Sequence, residues 1–125
     1  MKIKMSDSSR VARAFGRYAR YGFDRRELEN FEMMACIRGS TANIHEAREM
    51  LAVYDTLRLL KYMKKTEVLQ AVHSVYFQRR GRRLHRNDIS LRVRKFAAEN
   101  YYDDRTVYRR LAEAKRLFLS ITAGL

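Results

Sequence analysis

The sequence predicts an all-α protein of about six helices. Three observations predict it: there is no proline, apolar residues recur at spacings of three and four with no strict alternation, and the sparse glycines fall where helices should end. Apolar residues make up 46% of the 125 positions, enough to build a core, so the chain reads as one domain or two small ones sharing a core.

The first helix starts near Ser8 or Ser9 and runs to about Tyr21, where Gly22 can close it. Val11, Ala14, Phe15 and Tyr18 form its buried stripe, and Arg10, Arg13, Arg17 and Arg20 line another face. That face resembles a basic amphipathic segment that lies on membranes or binds a partner; the favoured expectation is a core helix with a solvated basic side. The second helix opens at Asp24-Arg25-Arg26-Glu27, an acidic variant of the capping box. It should bury Leu28, Phe31, Met34, Ala35 and Ile37 before ending at Gly39. The third and longest spans Thr41 to Tyr62 or Met63. Its main stripe is Ile44, Ala47, Leu51, Tyr54 and Leu57, widened by Met50, Val53, Leu59 and Leu60. A helix this apolar is a central pillar or half of a dimer contact.

Thr66 can cap the fourth helix, with Val68, Ala71, Val72, Val75 and Tyr76 inward. A basic loop, Arg79-Arg80-Gly81-Arg82-Arg83-Leu84-His85-Arg86, follows. Asn87 or Asp88 caps the fifth helix, which turns Ile89, Val93, Phe96 and Ala97 inward. Asn100-Tyr101-Tyr102 forms a turn, and Asp103 caps the sixth helix, whose inner side is Val107, Leu111, Ala114, Leu117 or Phe118, and Ile121.

Charge gives the first clue to function. The chain carries 27 Lys+Arg against 14 Asp+Glu, a net +13. From Lys64 onward there are 15 basic and 6 acidic residues, net +9; before it there are 12 and 8, net +4. Such an excess biases the partner towards a polyanion, and it concentrates beside the last two helices. Those helices read as a helix-turn-helix. Ala97 is small enough for their crossing, Val107 and Leu111 anchor the second, and Arg105, Thr106, Arg109 and Arg110 are left outward to read bases. Arginine suits that role because its guanidinium can bond guanine O6 and N7 together. Arg79, Arg80, Arg82, Arg83 and Arg86 would hold the DNA backbone. Of Tyr101 and Tyr102, one should fill the gap between the two helices and the other stay exposed.

Val68-Leu69 through Val75-Tyr76-Phe77-Gln78, then Ile89 to Ala97, then Thr106-Val107-Tyr108-Arg109-Arg110-Leu111-Ala112-Glu113-Ala114-Lys115-Arg116-Leu117, resembles the C-terminal DNA-binding domain of sigma-70-type factors. The Arg-Thr-Val-Tyr-Arg opening is closer to phage-encoded ArpU-type transcriptional regulators with sigma-like folds. The resemblance covers roughly residues 66 to 125. It implies promoter DNA binding by the sixth helix, with RNA polymerase as a further partner, and a phage or prophage origin. Tyr101 stands where these families usually place glycine, which predicts a longer or differently shaped turn. Residues 1–64 form an N-terminal helical portion without an assigned motif, and residues 65–125 the DNA-binding portion.

Other chemistry is not expected. His45, His73, His85 and Cys36 fall at no metal-ligand spacing. There is no phosphate-binding glycine loop and no nucleophile with a base, so neither an enzyme nor a cofactor is expected. The lone cysteine fits a reducing compartment. The opening Met1-Lys2-Ile3-Lys4 lacks the apolar core of a secretory signal, and no apolar run approaches the ~20 residues that span a bilayer. A cytoplasmic setting without membrane contact is therefore expected. The expected function is double-stranded DNA binding in transcription control, with a homodimer through the third helix as its candidate assembly. The rival readings are an adaptor that binds polymerase or another protein with only non-specific nucleic-acid affinity, and an RNA binder.

Overall fold

The computed structural model describes residues 6–21, 24–77 and 86–123, and of Arg86 and Asn87 the backbone alone. Six helices and no strands occur among the described residues: α1 (Asp7–Tyr21), α2 (Arg25–Arg38), α3 (Thr41–Tyr62), α4 (Thr66–Tyr76), α5 (Arg86–Glu99) and α6 (Asp104–Thr122).

Local sequence chemistry sets most of the boundaries. Asp24 caps α2 by accepting from the Glu27 N–H at 2.8 Å, and Ser40 caps α3 through the Asn43 N–H. Thr66 is the first residue of α4, one position inside the cap, and no side chain bonds that helix start. α5 likewise begins at Arg86, ahead of the expected Asn87 or Asp88.

Three helices end in one way. Gly39, Lys64 and Tyr101 take left-handed backbone angles, φ 70°, 58° and 59°. The next N–H then reaches back: Ser40 to the Ala35 carbonyl, Lys65 to Leu60, Tyr102 to Ala97, at 2.9–3.0 Å. Glycine takes this conformation freely, whereas lysine and tyrosine do so against roughly 1–2 kcal/mol of steric strain.

α3 and α6 run through the middle. α6 packs against α1, α3, α4 and α5, and α3 against α1, α2, α4 and α6. One core joins both halves of the chain: Phe15 of α1, Val53 and Leu60 of α3, Val72 and Val75 of α4, Val93 of α5 and Phe118 of α6 are all fully buried. Phe15 sits at its centre, 5.5 Å edge-on to Phe118 and 5.3 Å from Tyr76, centroid to centroid. Phe118, rather than Leu117, is the buried member of that pair.

Long-range packing changes three expectations. The basic side of α1 is not simply solvated. Arg10 Nε lies 3.1 Å from buried Glu49 and Arg17, itself buried, lies 3.4 Å from Glu46, so two of its four arginines clamp α1 to α3. On α2, Leu28 and Ala35 are buried, but Met34 and Ile37 are exposed because that helix packs on α3 alone. On α3 the fully buried large residues are Met50, Val53 and Leu60, while Leu51, Tyr54 and Leu57 are only half-buried. A helix covered from several sides has no single inward stripe. No described helix is long and apolar enough to cross a membrane.

Candidate nucleic-acid interface

The α5–turn–α6 unit is fastened at each step. Val93, Phe96 and Ala97 are buried on α5, as are Val107 and Leu111 on α6. Arg92 donates to the Val75 carbonyl at 2.7 Å, tying α5 to the C-terminal end of α4. Within the turn, the Asn100 side-chain amide donates to the Phe96 carbonyl at 2.9 Å. The glycine position of the resembled families is filled by Tyr101 in the left-handed conformation, so the turn is closed without glycine.

Tyr101 and Tyr102 divide unequally. Tyr101 is 97% exposed. Tyr102 lies over Phe96, 6.3 Å between centroids, and against the Arg110 guanidinium at 4.2 Å, yet keeps 39% of its surface. It bridges α5 and α6 without being sealed between them.

Asp103 starts α6. Its carboxylate accepts from the Thr106 N–H at 2.7 Å. Bonds from the Thr106 backbone and hydroxyl, reinforced by the nearby Arg105 and Arg109 charges, hold Asp103 below the usual carboxylate range. A carboxylate with a depressed folded-state pKa stabilises the fold above its unfolded value, near pH 4, and that stabilisation disappears as pH falls through the lower folded value. Acid melting of wild type beside Asp103→Asn should therefore show an advantage of wild type that shrinks below pH ~4. An unchanged difference down to pH 2 would mean that the carboxylate charge is not what holds the cap.

The helix phase set by this cap decides which side chains are free. The buried line Val107, Leu111, Ala114 and Phe118 faces the core. Opposite it, at i, i+4, i+7 and i+11, stand Arg105, Arg109, Ala112 and Arg116, all exposed. No acidic side chain pairs with these three arginines among the described residues, although α6 has ion pairs elsewhere: Lys65–Glu113 at 3.2 Å and Arg94–Asp104 at 3.9 Å. The result is an arginine ridge about 16 Å long with a methyl-sized step at Ala112. Arg94 and Lys95 of α5 add exposed positive charge.

The expected reading residues therefore separate. Arg105 and Arg109 lie together on the ridge. Thr106 is half-buried, its hydroxyl engaged with Asp103. Arg110 turns away from the ridge onto Tyr102, with one buried guanidinium nitrogen lacking a hydrogen-bond partner. Arg79, Arg80, Arg82 and Arg83, and the side chain of Arg86, lie outside the described residues. Sequence reasoning missed Arg116, although its spacing of seven and eleven from Arg109 and Arg105 carried the signal.

Beneath this surface, Tyr76 ends the buried side of α4. Burial, with Tyr108 beside it, pushes its phenol up to about 12, so it stays neutral at physiological pH. No cluster of acidic, histidine or cysteine side chains suited to a metal ion occurs among the described residues. Comparison with known families, curated proteins and solved structures finds no match to this chain.

Proposed function

We propose that the chain is a double-stranded DNA-binding transcription regulator that reads the major groove with α6. The ridge of Arg105, Arg109 and Arg116, opposite the core and with no carboxylate within ion-pair distance among the described residues, carries the reading. Arginines exposed along one helix face, within a chain of net +13, fit a phosphate-lined groove. Arg105 and Arg109, near the helix start, are assigned to base edges and Arg116 to phosphate. Ala112 lets the helix approach closely between them. Thr106 contributes its methyl group, and Arg110 braces Tyr102 at the edge of the site.

Tyr101 supports the same reading. A non-glycine residue held at φ 59° and left 97% exposed gives the fold nothing through burial, so its side chain is assigned to the sugar-phosphate backbone beside α6. Arg79, Arg80, Arg82, Arg83 and Arg86 are assigned to flanking phosphates. The resemblance to sigma-like and ArpU-type regulators supports a phage or prophage origin and contact with RNA polymerase.

The test is enrichment of bound duplexes from a random DNA library at near-physiological salt, with Arg105→Ala/Arg109→Ala protein in parallel. A defined motif that disappears with the double variant is expected. Equal, motif-free recovery by both proteins would sink base reading and leave an adaptor with salt-sensitive charge.

A further inference from the structure

α2 touches no helix but α3, and its outward side is apolar over its second half. Met33, Met34 and Ile37 are 55%, 43% and 71% exposed. Scattered exposed apolar residues are ordinary, but three neighbours on a helix with one free side make a patch.

The charges beside this patch specify what fits it. Glu27 and Arg38 stand three turns apart, about 16 Å, on the same flank as Met34. Both are exposed, and neither has an ion pair among the described residues. Arg26, also exposed, has none either, whereas Arg25 lies 2.9 Å from Glu29 and 2.6 Å from Asp55, and Glu32 lies 3.4 Å from Arg48. When a helix packs antiparallel on its own copy about a two-fold axis, each flank meets the same flank of the partner running the other way. An axis midway between Glu27 and Arg38 falls between Glu32 and Met33. It sets Glu27 opposite the partner's Arg38, and Arg38 opposite the partner's Glu27. Met33 then meets its own copy, and Ile37 falls between the partner's Arg26 and the partner's Asn30. A parallel pair would instead bring opposite flanks together, leaving Glu27 and Arg38 without each other.

We propose that the outer face of α2 is a homodimer interface, with a second copy packed antiparallel along Met33, Met34 and Ile37 and Glu27 of each chain opposite Arg38 of the other. The third helix, the dimer candidate in the sequence, packs against α1, α2, α4 and α6. A single helix pair falls short of the ~1,200 Å² of a stable interface, so the dimer is a weak one with a dissociation constant in the micromolar range. The contact needs no nucleic acid, so its test is independent of DNA reading.

Sedimentation equilibrium of the full chain without DNA, at moderate salt, should show monomer and dimer in exchange. Ile37→Glu should leave only monomer. Glu27→Arg and Arg38→Glu should each weaken self-association at least about tenfold, because each sets like charges in opposition twice in the homodimer. Mixing those two single variants should restore association, since the mixed pair is complementary at both ends. All three sites are exposed, and circular dichroism checks that the variants remain folded. A wild-type chain that stays monomeric at several hundred micromolar would overturn the proposal. So would a dimer indifferent to Ile37→Glu, or single variants that fail to rescue each other.

Discussion

Phe15→Ala is expected to cost about 3–5 kcal/mol of folding stability. Phe15 is fully buried, and Tyr76, Phe77 and Phe118 surround it. Those rings come from α4, the residue that follows it, and α6, so the cavity opens where three parts of the chain meet and cannot collapse by moving one of them. Domains of this size are stable by only about 5–15 kcal/mol, so the variant should approach unfolding at body temperature. Urea titration should show the midpoint fall with little change in slope. Tyr62→Ala, at an 85% exposed position, is the control and should stay within about 0.5 kcal/mol of wild type. A Phe15→Ala loss below about 1.5 kcal/mol would mean that α1 is not docked on the rest of the core.

The other large effect is on DNA. Each arginine bonded in bidentate fashion to guanine contributes about 1–3 kcal/mol of discrimination. Arg105→Ala/Arg109→Ala should therefore weaken binding to the enriched duplex by about thirtyfold to ten-thousandfold. Arg116→Ala should behave differently. As a phosphate contact, it should lower affinity for all duplexes alike and reduce the slope of log K against log salt by about 0.9. Fluorescence anisotropy across a salt series reads both effects. If the double variant weakens specific and unrelated duplexes equally, Arg105 and Arg109 are phosphate contacts and the base-reading assignment fails.

Much of the fold could be read in the sequence because it is local. Asp24, Gly39 and Asp103 mark helix ends through bonds spanning three to five residues, and α4 shows its inner face plainly. What stayed hidden depends on partners far along the chain. Glu49 looks like a surface carboxylate until Arg10 of α1 closes over it. Ile37 looks like core until α2 is seen to have one neighbour. The candidate site followed the same division. The cap at Asp103 sets the phase of α6, so the exposure of Arg105 and Arg109 was within reach. The turning of Arg110 onto Tyr102 was not, because it depends on how the α5–α6 turn presents that ring.

The packing of α1 against α6 has a consequence for how the chain acquires its structure. Phe15 meets Phe118, and Lys115 Nζ lies 2.9 Å from the Ser8 hydroxyl. α1 is thus covered in part by α6, across a sequence separation of 107 residues at the Lys115–Ser8 bond. During translation the side of α1 that meets α6 stays uncovered until α6 has left the ribosome, although α3 and α4 reach α1 earlier. Closing a loop of that length raises the contact order of an otherwise locally built helical protein and slows its folding. It also makes α6 depend on residues about a hundred positions earlier in the chain. A fragment beginning near residue 65 would keep the arginine ridge but lose the side chains that bury Phe118.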